Sequence, residues 1–272
     1  EVTKNRLSFL LGDKGYAFPE IVAVPIINDE TQIVDVEFRV NPGSRTIVRR
    51  INITGNENTN DEVYRREIRQ FESSLHSNSK IERSKIRLQR LKYVDNVDVK
   101  KVRVFDSDDQ VDIIFEISER ASGEFKVGAG WSDTNGTLFN IKVQQDNFLG
   151  TGNNITLDAA QSNVTQKLTL YYTDPYYTPD GISKTNNLVY AETDVSSTST
   201  ATYIADTFGG GVFYSTPISE TDSFGIGYDL LYTSYTTTLG SPIVVTHHID
   251  EWGKNSLGAK LKATYVNDTR DR

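Results

Sequence analysis

Phe224-Gly225-Ile226-Gly227-Tyr228-Asp229-Leu230-Leu231-Tyr232 sets five large apolar side chains at every second position, with Gly225, Gly227, Asp229 and Leu231 between them. Side chains of a β-strand point alternately to its two faces, so this stretch predicts a strand with one apolar face and one polar or small one. Working outward, Leu257, Ala259, Leu261, Ala263 and Tyr265 alternate with Gly258, Lys260, Lys262 and Thr264. Phe125, Val127, Ala129 and Trp131 alternate with Lys126, Gly128, Gly130 and Ser132. Further strands are predicted around Phe139–Val143, Ile155–Ala159, Leu168–Tyr172, Asn187–Val195 and Tyr203–Ser215, giving about eight after residue 121. Each approaches the ~9–11 residues that a tilted strand needs to cross a bilayer. A soluble sandwich also alternates. Lys, Asp, Gln, Thr and Gly on the second face suit a wet lumen, and tyrosines near strand ends suit an interfacial girdle. The membrane reading places Ile226 and Leu230 on lipid and Asp229 in the lumen.

Upstream of residue 121 the grammar differs. Residues 1–120 carry 20 Lys/Arg against 21 Asp/Glu, and residues 121–272 only 9 against 16. Leu7, Leu10 and Leu11 predict a short helix stopped by Gly12 and Gly15. Strands follow at Ile21–Ile27 and Ile33–Val40, joined by the turn Asn28-Asp29-Glu30-Thr31. Residues 1–43 lack a first strand and helix and read as part of a module. Residues 44–120 hold the whole pattern. Thr46–Thr54 is a strand, and Thr59-x-x-Glu62 is a capping box for a helix to about Phe71. Ser79-x-x-Glu82 is a capping box for a second helix, and strands follow at Val97–Val104 and Val111–Ser118. The order β-α-α-β-β is a small α+β module.

The net charge of −8 argues against a nucleic-acid partner. No run of 18 apolar residues predicts a transmembrane helix. With no cysteine there is neither disulfide nor thiolate metal site, and with no methionine the chain reads as a processed or excised piece. His247-His248-Ile249-Asp250-Glu251 falls in a predicted surface loop and lacks further ligands. Asp106-Ser107-Asp108-Asp109 reads as a hairpin turn, and Gly209-Gly210-Gly211 follows no βαβ unit. No nucleophile–base pair stands out, so neither enzyme activity, cofactor nor metal is expected.

Several phrases go beyond pattern. Arg49-Arg50-Ile51-Asn52-Ile53-Thr54-Gly55-Asn56 resembles the first strand of a POTRA module in the BamA family of outer-membrane β-barrel insertases. Arg87–Val97 resembles that module's second helix running into its second strand. Gln144-Gln145-Asp146-Asn147-Phe148-Leu149-Gly150-Thr151-Gly152 is similar to the family's turn between the second and third barrel strands. Asp174–Ser183 is similar to the periplasmic turn after the fourth, and Asn267–Arg272 to the end of the eighth. The likeness runs through the chain in order. It implies a partial POTRA module at 1–43, a complete one at 44–120, and at 121–272 the N-terminal half of a barrel, eight of sixteen strands. The Val-Arg-Gly-Phe/Tyr loop motif and the closing strand of the family are not in this sequence.

The resemblance also implies a function. The protein would be the central component of the machinery that folds and inserts outer-membrane β-barrel proteins, with its POTRA modules in the periplasm of a bacterium. Its partners would be nascent barrel proteins, accessory lipoproteins of the assembly complex, and the lipid bilayer. The family opens at a seam beside its first barrel strand, here Glu124, Phe125, Lys126, Val127, Gly128, Ala129, Gly130 and Trp131, where an incoming strand would pair. Arg65, Arg69 and Glu72, spaced as one helix face, are the candidate lipoprotein contact. The alternatives are a related POTRA-barrel transporter, TamA-like or of the two-partner secretion type, and a passive outer-membrane barrel.

Overall fold

The computed structural model describes residues 1–28, 32–133, 135–195, 202–219, 221–237 and 240–269. The predicted turn at 29–31 and the last three residues of the terminal phrase lie outside the described residues. The chain divides into two units, Glu1–Ala121 and Ser122–Arg272.

In the first unit, helix α1 (Val2–Asp13) precedes the antiparallel pair β1 (Glu20–Asn28) and β2 (Ile33–Asn41). Gly12 does not stop α1 but lies buried inside it, and the stop is Gly15, at φ +99°. Then come β3 (Ile47–Thr54), α2 (Asp61–Arg65), α3 (Asn78–Gln89), β4 (Val94–Arg103) and β5 (Gln110–Glu119). The sheet order is β3-β5-β4, with β3 parallel and β4 antiparallel to the central β5. On β5 the alternate residues Val111, Ile113, Phe115 and Ile117 are buried. Val48, Ile51, Tyr64, Ile81, Leu88 and Val97 close over them from the other elements. Period two on the strand meets period 3.6 on α3, which is the physical content of the β-α-α-β-β pattern. Gly55 turns out of β3 at φ +81°, where a Cβ would stand 2.0 Å from the Ile117 carbonyl oxygen.

Both predicted capping boxes move. The first helix ends at Arg65, not near Phe71, and starts from Asn60, whose side chain makes no cap. Residues beyond it must return along β3: Val48 N–H donates to Ser74 O at 2.9 Å and Ser73 N–H to Val48 O at 2.7 Å. The buried Gln70 side chain holds that return, donating to Ser74 Oγ and Leu75 O and accepting from Ser77 N–H. Thr59 instead stands 3.1 Å from the Tyr64 hydroxyl. The second helix starts two residues early, with Ser77 as its cap, accepting from Lys80 N–H at 3.3 Å.

The second unit is one antiparallel sheet of eight strands in the order β13-β12-β11-β10-β9-β8-β7-β6. They are β6 (Gly123–Ser132), β7 (Gly136–Phe148), β8 (Asn153–Gln161), β9 (Thr165–Asp174), β10 (Ser183–Asp194), β11 (Tyr203–Pro217), β12 (Asp222–Thr237) and β13 (Asn255–Asn267). Ile226 is 57% exposed and Asp229 6%, so the two faces predicted for Phe224–Tyr232 are distinct. The two recognised turn phrases fall between β7 and β8 and between β9 and β10. One expectation fails. His247 to Glu251 lie on helix α4 (Ile243–Trp252), between β12 and β13, and not in a loop. There His247 Nε2 is 3.6 Å from Glu251 one turn on, and the His248 ring meets Tyr235 edge-on.

Candidate pairing edge and docking surface

Strand β6 forms one border of the sheet. Its ladder with β7 runs from Gly123 opposite Gln145 to Ser132 opposite Gly136, and among the described residues no strand lies on its other side. Phe125, Val127 and Trp131 are exposed on the apolar face. On the inner face, Lys126 Nζ is 2.7 Å from Glu124 Oε1, and Lys126 stands directly across the ladder from Lys142. Gly128 and Gly130 sit in the open: a Cβ on either would find its nearest neighbour at 3.9 Å.

The start of β6 is pinned. Asp146 N–H donates to Ser122 O at 3.2 Å, and Gln145 Nε2 donates to Ser122 Oγ at 2.8 Å. The Asp146 carboxylate, buried, accepts from Gln144 Nε2 at 3.0 Å and from Asn154 Nδ2. The ladder is irregular between Gln145 and Phe148, and Asn147 and Leu149 adopt φ of +59° and +54°. Asn147 Oδ1 takes Gly152 N–H at 2.8 Å and so holds the turn. The phrase Gln144–Gly152 is thus a polar knot that fixes where β6 begins, a role that its spacing alone did not reveal.

The proposed docking residues do not share a helix face, because α2 ends at Arg65. Arg65 Nη1 is 3.9 Å from Glu72 Oε1, which also accepts Ile51 N–H at 2.7 Å. Arg69 turns back, its Nη1 donating to Arg66 O at 2.9 Å. Arg65 and Glu72 therefore come together by the chain's return along β3, and the Arg69 guanidinium serves the turn.

A third cluster escaped sequence reasoning, since the end of α1 lies more than 60 positions from its partners at the start of α3. Asp13, at the end of α1, accepts from Ser79 N–H at 2.7 Å and from the Ser77 hydroxyl at 2.9 Å. It thereby adds a carboxylate to the N-terminus of α3, where the helix dipole favours one. These bonds hold its carboxyl below the usual range against the opposing effect of partial burial. Asn78 Nδ2 donates to Phe9 O at 3.1 Å, and Gly12 leaves room for that side chain: a Cβ there would fall 1.9 Å from Asn78 Nδ2. His76 Nδ1 is 3.1 Å from Gly12 O, and Lys101 Nζ donates to Asn78 Oδ1 at 2.7 Å. Burial, aided by the Lys101 charge, pushes the His76 pKa down to about 4.

Residues 46–120 match the POTRA family model, described as a surface antigen variable number repeat, and residues 147–272 match the Omp85 superfamily domain. A solved structure of BamA from Haemophilus ducreyi lacking POTRA domains 1–3 superposes on 99% of this chain and 53% of its own, with a TM-score of 0.86 and 28% identity. The outer membrane protein assembly factor BamA of Neisseria meningitidis is 37% identical over 246 residues, 90% of this chain. The chain belongs to the BamA family. That of Buchnera aphidicola is 27% identical over 231 residues. The chain spans 31% and 37% of the length of these two relatives. CdiB from Acinetobacter baumannii, at 12% identity and a TM-score of 0.54, shares the fold. BamA-family membership places the POTRA module in the bacterial periplasm and β6–β13 in the outer membrane. The exposed apolar face of the sheet is then the lipid face. It also sets the direction of each strand: β6 leaves the periplasm and β7 returns to it.

Proposed function

We propose that the full-length protein folds and inserts outer-membrane β-barrel proteins by pairing an incoming strand with β6 through the backbone of Glu124 to Trp131. The observation that carries this reading is the position of β6, a border strand directly after the POTRA module in a sheet that superposes on BamA. In hydrocarbon an unpaired N–H or C=O costs several kcal/mol, against a net ~0.5–1.5 kcal/mol for such a bond in water, so a free edge there is a strong template.

In this reading residues 1–43 complete a preceding POTRA module and 121–272 form the N-terminal half of the barrel. The module at 44–120 docks accessory lipoproteins through the turn that holds Arg65, Arg69 and Glu72, and the POTRA modules also receive nascent chains. The protein is no enzyme and uses neither cofactor nor metal. The likeness to CdiB is one of fold and supports the transporter alternative no further. The test is disulfide crosslinking in the full-length protein, with single cysteines along Glu124–Trp131 and along a stalled substrate's last strand. Crosslinks repeating every second residue are expected. Crosslinks concentrated on β12 instead would place the edge wrongly.

A further inference from the structure

Backbone pairing is indifferent to sequence, but the inner face of β6 is not blank. An antiparallel neighbour on its open side would set one inward residue opposite each of Glu124, Lys126, Gly128 and Gly130. Across the existing ladder Lys126 faces Lys142, and Lys142 faces Asp158. From the open edge inward the row reads plus, plus, minus, and like charges directly opposite repel. Glu124 contacts Lys126 along the same strand, but both side chains are roughly half exposed, at 45% and 64%, and water screens such a pair. A carboxylate on the open side would make the row alternate in sign. Beside it, the bare surface over Gly128 and Gly130 has room for a large side chain laid across from the neighbouring strand, the arrangement in which aromatics compensate for edge glycines.

We propose that this inner face selects among incoming strands. It favours an acidic residue opposite Lys126, preceded in the incoming chain by large, preferably aromatic residues opposite Gly130 and then Gly128. The inference rests on the templating reading above. Its test uses the full-length protein in proteoliposomes and a small model barrel whose last strand carries Asp, Ala or Lys at the position opposite Lys126, located by cysteine pairs along β6. Assembly rate should fall from Asp to Ala to Lys, by about 1.5- to 5-fold per step. Lys126→Glu should invert the ranking, and Lys126→Gln, a milder change, should flatten it. If crosslinks along β6 persist and neither variant alters the ranking, selection by charge is wrong and templating stands. If the crosslinks do not form along β6, templating falls, and selection with it.

Discussion

Lys262 Nζ lies 2.5 Å from Asp229 Oδ2 on the face of the sheet opposite Ile226 and Leu230. The pair spans β12 and β13 where the lumen would be wet. It sets the faces of both strands, and Leu230→Arg should therefore cost about 2–4 kcal/mol in a full-length barrel unfolded from lipid with urea. Thr264→Arg, on the lumen face opposite Gly225, should stay within about 0.5 kcal/mol. Equal costs would reverse the assignment of faces. Asp229→Arg is no neutral control, because it removes the anion of Lys262 from a closed place.

That closeness predicts a contrast between glycines. A Cβ on Gly211 would stand 2.0 Å from Asp229 Oδ1 and 2.3 Å from the Tyr228 carbonyl oxygen, whereas on Gly128 it would meet nothing within 3.9 Å. Gly211→Ala should destabilise by about 1–3 kcal/mol through overpacking, and Gly128→Ala should be neutral. Thermal midpoints of the two variants, read by the loss of the compact band on cold gels, decide it.

The periplasmic unit should weaken in mild acid. His76 is wholly buried, Nδ1–H donates to Gly12 O, and Nε2 has no partner among the described residues. Its folded pKa of about 4 lies below the ordinary 6.5. Between those values the unfolded chain binds the extra proton, so stability falls as pH drops from 6.5 towards 4, by on the order of 3 kcal/mol. Asp13, Asp112 and Glu119, whose folded values are lowered, lose their contribution only at lower pH, as it falls through those values. Urea midpoints of residues 1–121 at pH 7.5 and 5.0 should differ, and His76→Asn should shrink the difference.

The barrel strands were legible because lipid on one face and water on the other impose period two on every strand. The helix boundaries were not, because partners from far along the chain set them. Past Arg65 the chain returns along β3, where Val48 pairs with Ser73 and Ser74, and Asp13 takes up Ser79, whose place as the apparent cap belongs to Ser77. Helix α4 follows Ser241-Pro242, a start signal that the loop reading passed over, and its stop, Gly253 at φ +83°, also stood in the sequence. At the edge, the alternation of Phe125, Val127, Ala129 and Trp131 located β6. The knot from Ser122 through Asp146 to Asn154 was not legible, since a residue's neighbours across a ladder follow from register.

Docking through the Arg65–Glu72 turn can be tested only with a substitution that spares its fold. Glu72 Oε1 is the acceptor for Ile51 N–H at 2.7 Å, so Glu72→Lys would leave a backbone donor unpaired at a cost of about 1–3 kcal/mol and confuse loss of contact with loss of structure. Glu72→Gln keeps an acceptor oxygen there and removes only the charge, so the module should lose no more than about 1 kcal/mol. Arg65→Gln similarly removes an exposed charge whose ion pairs contribute little. Arg69→Ala, by contrast, should loosen the turn, because its guanidinium holds the Arg66 carbonyl. If the turn docks an accessory lipoprotein, Glu72→Gln and Arg65→Gln should each lower its co-purification with full-length protein while the urea midpoint of residues 1–121 barely moves. Undiminished co-purification of both would reduce these charges to a solvated surface.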